Sequence, residues 1–287
     1  MNKVIRVFPV RTSYTPIDKY SFVGMPPFNS LIPEHDEIHI SVTFTWDKDK
    51  AEMLKRNWQM VTDKPVLIGG PAYNDPGNGF LPGMYVKQGV TFTSRGCPNH
   101  CEFCFVPKRE GKLRELPIIE GNEIADNNIL ACSTDHINKV FEMLKKQKGI
   151  SFKGGLESKR LTSKIAEMLR CLSIKELWLA CDKAENLDGT IKAIQLLKSV
   201  GFTQGHIRCY VLIGFNWIEE EYRLKELFKV GCLPFTQLFQ PEIKIDYSHE
   251  WKTRNRTWSR PAAYKTYMAN NSGKPNNQHS TLVDKGI

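Results

Sequence analysis

Three cysteines fall within eight residues of the 287-residue chain, as Cys97, Cys101 and Cys104 in the run TSRGCPNHCEFCFVP at 93–107. Thiolates this close on one loop can reach three irons of a cubane cluster. Three protein ligands leave the fourth iron open, and an open iron is a place for chemistry. His100 lies inside the loop and offers a second reading of the same residues, a three-cysteine, one-histidine zinc knot. Structural zinc usually pairs two knuckles, and no second pair follows. Electron carriers generally close all four iron positions with cysteine, so a three-cysteine loop argues against that role.

The loop must be carried by regular elements, and the sequence around it alternates strand and helix signals. Strands are expected at Val90 to Ser94, Asn128 to Cys132, Ile150 to Phe152, Glu176 to Cys181, Ile207 to Ile213 and Leu233 to Phe239. Helical segments separate most of them: Asp135 to Gln147, Thr162 to Cys171, Leu187 to Val200 and Ile218 to Val230, several stopped by glycine. Such alternation predicts a parallel sheet, and six units suit an open or partial (β/α)6 barrel. Residues 105 to 127 carry Pro, Gly and charges without a helical period and predict an irregular excursion. Before the loop, EIHISVTFTW at 37–46 reads as a strand, 47–61 as a helix and KPVLIGG at 64–70 as a buried strand, followed by a Pro- and Gly-rich loop at 71–83. Three regions result: a small α/β segment at 1–88, an α/β core at 89–241, and a basic, aromatic carboxy-terminal segment at 242–287 whose last eighteen residues read as disordered.

The CxxxCxxC spacing, with Phe103 just before the last cysteine and a six-unit α/β series after it, resembles the radical S-adenosylmethionine (SAM) superfamily over residues 90 to 240. The resemblance implies a partial six-stranded barrel, a 4Fe-4S cluster on Cys97, Cys101 and Cys104, and SAM chelated at the open iron. It also implies a 5′-deoxyadenosyl radical that abstracts a substrate hydrogen atom, and an electron donor such as flavodoxin or ferredoxin. Phe103 is then placed beside adenine. The family's GGE motif does not follow the second strand. DNNILAC at 126–132 resembles instead the second strand of cobalamin-linked and methylthiotransferase-like members, making Asp126, Asn127 and Asn128 candidates for polar contacts. In KGGLESKR at 153–160, glycines including Gly155 permit close backbone approach, and Glu157 or Arg160 could hold the SAM ribose or carboxylate. Ile213 and Gly214 match the apolar strand that packs on adenine, and Gln240 sits at a barrel-mouth position.

Cys132 and Cys181 close the second and fourth expected strands, at the carboxyl ends where α/β folds place their active face, and are candidate hydrogen-atom donors or ligands; small buried thiols would look the same. Cys171, Cys209 and Cys232 read as packing residues, and His35 and His39 as surface or strand residues. The amino-terminal segment resembles a reduced Rossmann-like domain of cobalamin-dependent members. It lacks their DxHxxG ligand motif and is too short for the whole domain, so cobalamin is not expected.

A formal charge of +9 favours an acidic partner such as nucleic acid or a nucleotide. Trp251, Arg254, Arg256, Trp258, Arg260 and Tyr264 could stack bases and pair phosphates, or could form a helix that caps the barrel. A peptide or small metabolite is the alternative substrate class, although no recognition domain or extra cluster cysteines follow the core. The first residues lack the apolar core of a secretory signal and no stretch approaches the roughly 20 apolar residues of a membrane span, so a cytoplasmic, non-membrane protein is expected.

Overall fold

The computed structural model describes residues 2–28, 31–75 and 80–271. The expected disordered tail therefore lies almost wholly outside the described residues.

The amino-terminal part builds a four-stranded parallel sheet from β1 (Val4–Phe8), β2 (Ser21–Val23), β3 (Glu37–Ser41) and β4 (Val66–Gly69), in the order β2-β1-β3-β4. The helix α1 (Lys48–Gln59) connects β3 to β4 and turns Ala51, Leu54 and Trp58 onto Ile5, Val7, Ile38 and Ile40. These side chains form a small apolar core of their own, in which the Trp58 indole N–H donates to the Gly24 carbonyl at 3.1 Å. The expected strand and helix around residues 37–69 are present. The expectation did not include β1, whose apolar run VIRVF is broken by Arg6, a buried guanidinium paired with Asp18 at 2.5 Å.

The second sheet has six parallel strands: β5 (Val90–Thr91), β8 (Glu123–Ile124), β9 (Ile150–Phe152), β10 (Ile174–Ala180), β11 (Ile207–Ile213) and β12 (Leu233–Leu238). Between β5 and β8 the chain makes a two-stranded antiparallel ribbon, β6 (Ser94–Arg95) with β7 (Arg114–Glu115), around the short helix α2 (Val106–Glu110). This is the irregular excursion that the Pro- and Gly-bearing sequence called for. Helices α3 (Thr134–Leu144), α4 (Ser163–Arg170), α5 (Leu187–Ser199) and α6 (Trp217–Lys229) then alternate with the strands. Each strand is added on the same side of the one before it, and right-handed crossovers in that order put all four helices on one face. Ile150, Phe152, Leu177, Leu179, Ile207, Cys209, Val211 and Ile213 pack there against Val140, Leu144, Leu169, Ile194, Leu197, Leu224 and Leu227. Caps fix the helix starts: the side chains of Ser133, Thr162 and Asn216 accept from the first-turn N–H groups of α3, α4 and α6.

The second strand is displaced from its expected place. Residues 129–131 form a short 3-10 turn, and the strand lies earlier, at Glu123–Ile124. Asp126, Asn127 and Asn128 consequently follow the strand's carboxyl end rather than open it, and Cys132 follows the 3-10 turn rather than closing a strand.

After β12, the helices α7 (His249–Trp258) and α8 (Pro261–Asn271) fold back on the core. The Trp258 and Tyr264 rings stack at 5.4 Å and are fully buried, and the Thr236 hydroxyl of β12 donates to the Asn255 carbonyl of α7 at 3.0 Å. The pair thus covers an edge strand that would otherwise template pairing with another chain. No helix among the described residues is long and apolar enough to cross a membrane.

Candidate metal centre and the cavity beside it

The cysteine loop leaves the first strands of the six-stranded sheet and is pinned by three consecutive residues at the end of β8. The Asp126 carboxylate accepts from the Thr93 N–H at 2.7 Å, the Thr93 hydroxyl at 2.6 Å and the Ser94 hydroxyl at 2.7 Å. Asn127 accepts the Gly96 N–H on its side-chain oxygen at 3.0 Å. Asn128 donates its Nδ2 to the Cys97 sulfur at 3.6 Å and to Glu157 Oε2 at 2.7 Å. Gly96 has φ of 81°, and a Cβ there would lie 2.3 Å from the Lys112 carbonyl, so the residue before Cys97 must be glycine both for conformation and for space.

Glu157 is held in turn by Arg160 Nε at 2.7 Å. Burial pushes its carboxyl up, but hydrogen bonds from Asn128, Asn99 and Arg160 outweigh that and hold it below the usual carboxylate range. It is a fixed anion beside Cys97. The KGG run brings this segment close: a Cβ on Gly154 would sit 1.9 Å from the Asp126 carbonyl oxygen, while Gly155, at φ of 99°, faces open space.

Burial raises the thiols of Cys101 and Cys104, and so does the negative charge that Cys97 and Asp182 contribute when ionised. Asp182 follows β10 and accepts the Leu212 N–H at 2.9 Å; burial raises its own carboxyl despite that bond and the nearby Arg223. Three thiolates side by side would repel one another, and a cationic iron centre would offset that cost, so the donor set fits such a group. Among the described residues no three His, Cys, Asp or Glu side chains converge closely enough to hold one metal ion. Ligands of a single zinc must all lie within about 2.3 Å of it, whereas thiolates taking one iron each of a cubane need not converge on a point.

The remaining expected site residues divide. Phe103 is half-buried in the loop itself. Asn127, Asn128, Glu157 and Arg160 stand around the cysteines as described. The Ile213 side chain is fully buried in the helix-side core, which leaves only its backbone, the part that the resemblance sets against adenine, to meet a ligand. Gly214 is covered by Tyr247, whose hydroxyl would lie 2.6 Å from a Cβ there. Gln240 spends its amide on its own loop, donating to the Ile245 carbonyl at 3.2 Å and accepting the Ile245 N–H at 2.9 Å. Cys132 and Cys181 are buried in the apolar core, and burial pushes the Cys181 thiol up to about 11. Cys209 and Cys232 are buried packing residues as expected, but Cys171 is exposed. The aromatic and basic residues near the carboxy terminus are mostly consumed internally: the Arg254 guanidinium lies over the Trp217 and Trp251 rings at 4.7 and 4.9 Å, and Trp258 and Tyr264 are core residues.

Sequence reasoning missed Asp182, Arg95 and Glu110. Asp182 was signalled by its place directly after the apolar strand LWLAC, at the carboxyl end. The pairing of Arg95 with Glu110 at 3.0 Å joins residues 15 apart through the ribbon and has no local signature.

A cavity of about 920 Å³ opens beside this loop. One wall is the carboxyl edge of the amino-terminal sheet, with Phe8, Ser41, Thr43 and Gly69; the other brings Phe92, Arg95, Glu110, Asn127 and Gln237 from the six-stranded part. The chain matches no protein-family model and no curated protein.

Proposed function

We propose that the protein is a radical SAM enzyme. The observation that carries this reading is the placement of Cys97, Cys101 and Cys104 on one loop at the carboxyl edge of a parallel sheet, with Asn128 joining Cys97 to the fixed carboxylate of Glu157. In this reading the three thiolates hold a 4Fe-4S cluster, and Glu157 and Arg160 receive the amino and carboxylate groups of SAM by charge and hydrogen bonding. When bound, the cluster supplies one electron to SAM and so a 5′-deoxyadenosyl radical. The protein's part is positional: Asp126, Asn127 and Asn128 fix the loop, Asn128 donates to a ligand sulfur, and the aromatic-walled cavity keeps water from the reacting carbon.

The six-stranded sheet is read as a partial barrel. Two features support curvature: the Tyr210 hydroxyl on β11 reaches over β10 to the Lys153 carbonyl at 3.2 Å, and Phe92 and Gln237, close to the sheet's opposite edges, line one cavity. The substrate enters from that cavity.

The test is anaerobic reconstitution with iron and sulfide, reduction with dithionite, addition of SAM and quantification of 5′-deoxyadenosine. The expected result is product with the native protein and none with the Cys97, Cys101 and Cys104 triple alanine variant. Full iron incorporation by that variant, or equal product from both proteins, overturns the reading.

A further inference from the structure

The cavity beside the cysteine loop sits where an open parallel sheet reverses its strand order. In the order β2-β1-β3-β4 the chain first builds to one side of β1 and then to the other, so a crevice is left between the carboxyl ends of β1 and β3. Ligands of open α/β sheets bind in that crevice. Phe8, the last residue of β1, with Pro9 and Val10 after it, and Ser41, the last of β3, with Thr43 and Phe44 after it, line the cavity. Its volume is within the range of small-molecule sites, roughly 300–1,000 Å³.

The chemistry of its walls selects a ligand class. Among the described residues the lining includes Asp47, Asp75 and Glu110 but only one arginine and no lysine, although the whole chain carries a formal charge of +9. A phosphate or carboxylate is therefore disfavoured inside. Glu110 is the most informative of these groups. Its side chain is 8% exposed, one oxygen accepts from Arg95, and Oε2 is buried with no hydrogen-bond partner among the described residues. A buried carboxylate oxygen without a donor is costly, so it marks a place where a ligand donor belongs. That donor is neutral: the Arg95 guanidinium already balances Glu110, and Arg114 lies near enough to act on Arg95, so a second cation would meet two guanidinium groups. Phe44, Phe80 and Phe92 supply flat apolar walls, and the Arg95 guanidinium lies 4.0 Å above the Phe92 ring, pre-set for stacking.

We propose that this cavity binds an uncharged planar nitrogen heterocycle of the guanine type, with ring N–H and exocyclic amino group directed at Glu110 and any phosphate left outside. Arg95 is followed directly by Gly96 and Cys97, and Asn127 both lines the cavity and holds Gly96. The heterocycle is thus the substrate of the radical chemistry; only this last step rests on the function proposed above, and the binding itself does not.

The experiment is calorimetric titration of the full-length protein with guanosine, 1-methylguanosine, adenosine and agmatine. Guanosine is expected to bind most tightly, and methylation of the ring N–H, or Glu110→Gln, is expected to weaken it about 10- to 100-fold, as for loss of a hydrogen bond to a charged group. Because Glu110→Gln also disturbs Arg95, Thr43→Trp serves as a second variant that fills the cavity from the opposite wall and should abolish binding with an unchanged circular dichroism spectrum. Equal binding of guanosine and 1-methylguanosine, preference for agmatine, no guanosine binding, or full binding by folded Thr43→Trp overturns the proposal. The titration needs no SAM cleavage, so 5′-deoxyadenosine formed by a protein that fails it would sink this inference alone, and guanosine binding without cleavage would sink the radical reading alone.

Discussion

Asn128 Nδ2 lies 3.6 Å from the Cys97 sulfur while donating to Glu157 at 2.7 Å, so one amide ties the Cys97 thiol to the Glu157 carboxylate. A donor to sulfur favours the more negative, reduced state of an iron-sulfur centre. With the proposed cluster in place, Asn128→Ala is expected to lower its reduction potential by tens of millivolts, equivalent to about 1 kcal/mol for one electron. Redox titration followed by electron paramagnetic resonance measures this, and an unchanged potential would show that the amide does not act on the cluster.

Gly154→Ala brings a methyl group to 1.9 Å from the Asp126 carbonyl, which is backbone and cannot swing aside. The substitution should cost about 3 kcal/mol or more, at the upper end for overpacking. It should also loosen the cysteine loop, because Asp126 anchors Thr93 and Ser94. Urea unfolding gives the first effect and iron stoichiometry the second; wild-type values for both would refute the close approach.

The Cys181 thiol gives a pH-dependent term. Burial raises it from 9.0 to about 11, so between those values the folded chain keeps a proton that the unfolded chain has lost. Its contribution is complete below pH 9.0 and disappears as pH rises towards 11, in all about 2–3 kcal/mol. Cys181→Ala should flatten the decline in stability over that window. Under the proposed function it should also leave the yield of 5′-deoxyadenosine unchanged, since the thiol lies in the core; loss of cleavage in a folded variant would place this residue in the proposed active site.

Trp258→Ala removes a fully buried ring that stacks on Tyr264, and a cost of roughly 3–5 kcal/mol is expected. Thermal unfolding checks this. A surface role in base stacking would instead leave stability intact and reduce nucleic-acid binding.

Local signals carried much of the architecture. The strands at 150–152 and 207–213 lie where β-branched runs put them, and the four helices between β8 and β12 agree with the expected ones to within a few residues because caps and glycines punctuate them. The second strand was misplaced because ILAC is a longer and more apolar run than EIA; pairing with both neighbouring strands decides for the earlier run, and no local signal encodes that choice. The three-cysteine loop was legible from spacing alone, and the structure places it where the sequence put it, after the first strand of the six-stranded sheet. Their supports at Asn127, Asn128 and Glu157 were legible as polar residues near strand ends, but not as hydrogen-bond partners of particular loop atoms. Glu110 and Arg95 were invisible, since a two-stranded ribbon brings them together. The Trp- and Arg-rich segment admitted two readings, a base-stacking surface or a capping helix, and only the packing of α7 and α8 shows that Trp258 and Tyr264 are inside while Arg256 and Arg260 are exposed.

Asp126, Asn127 and Asn128 each hold a different part of the loop, at Thr93 and Ser94, at Gly96 and at Cys97. All of these anchors are made by protein atoms and extend from a single strand end. A slip of one residue at that end would release them together, so the loop assembles cooperatively with the sheet and needs no bound group to do so. If the proposed cluster is present, its assembly would deliver iron and sulfide to thiols already in position, and chelators should strip it without unfolding the chain, unlike small zinc domains that fold only around their ion.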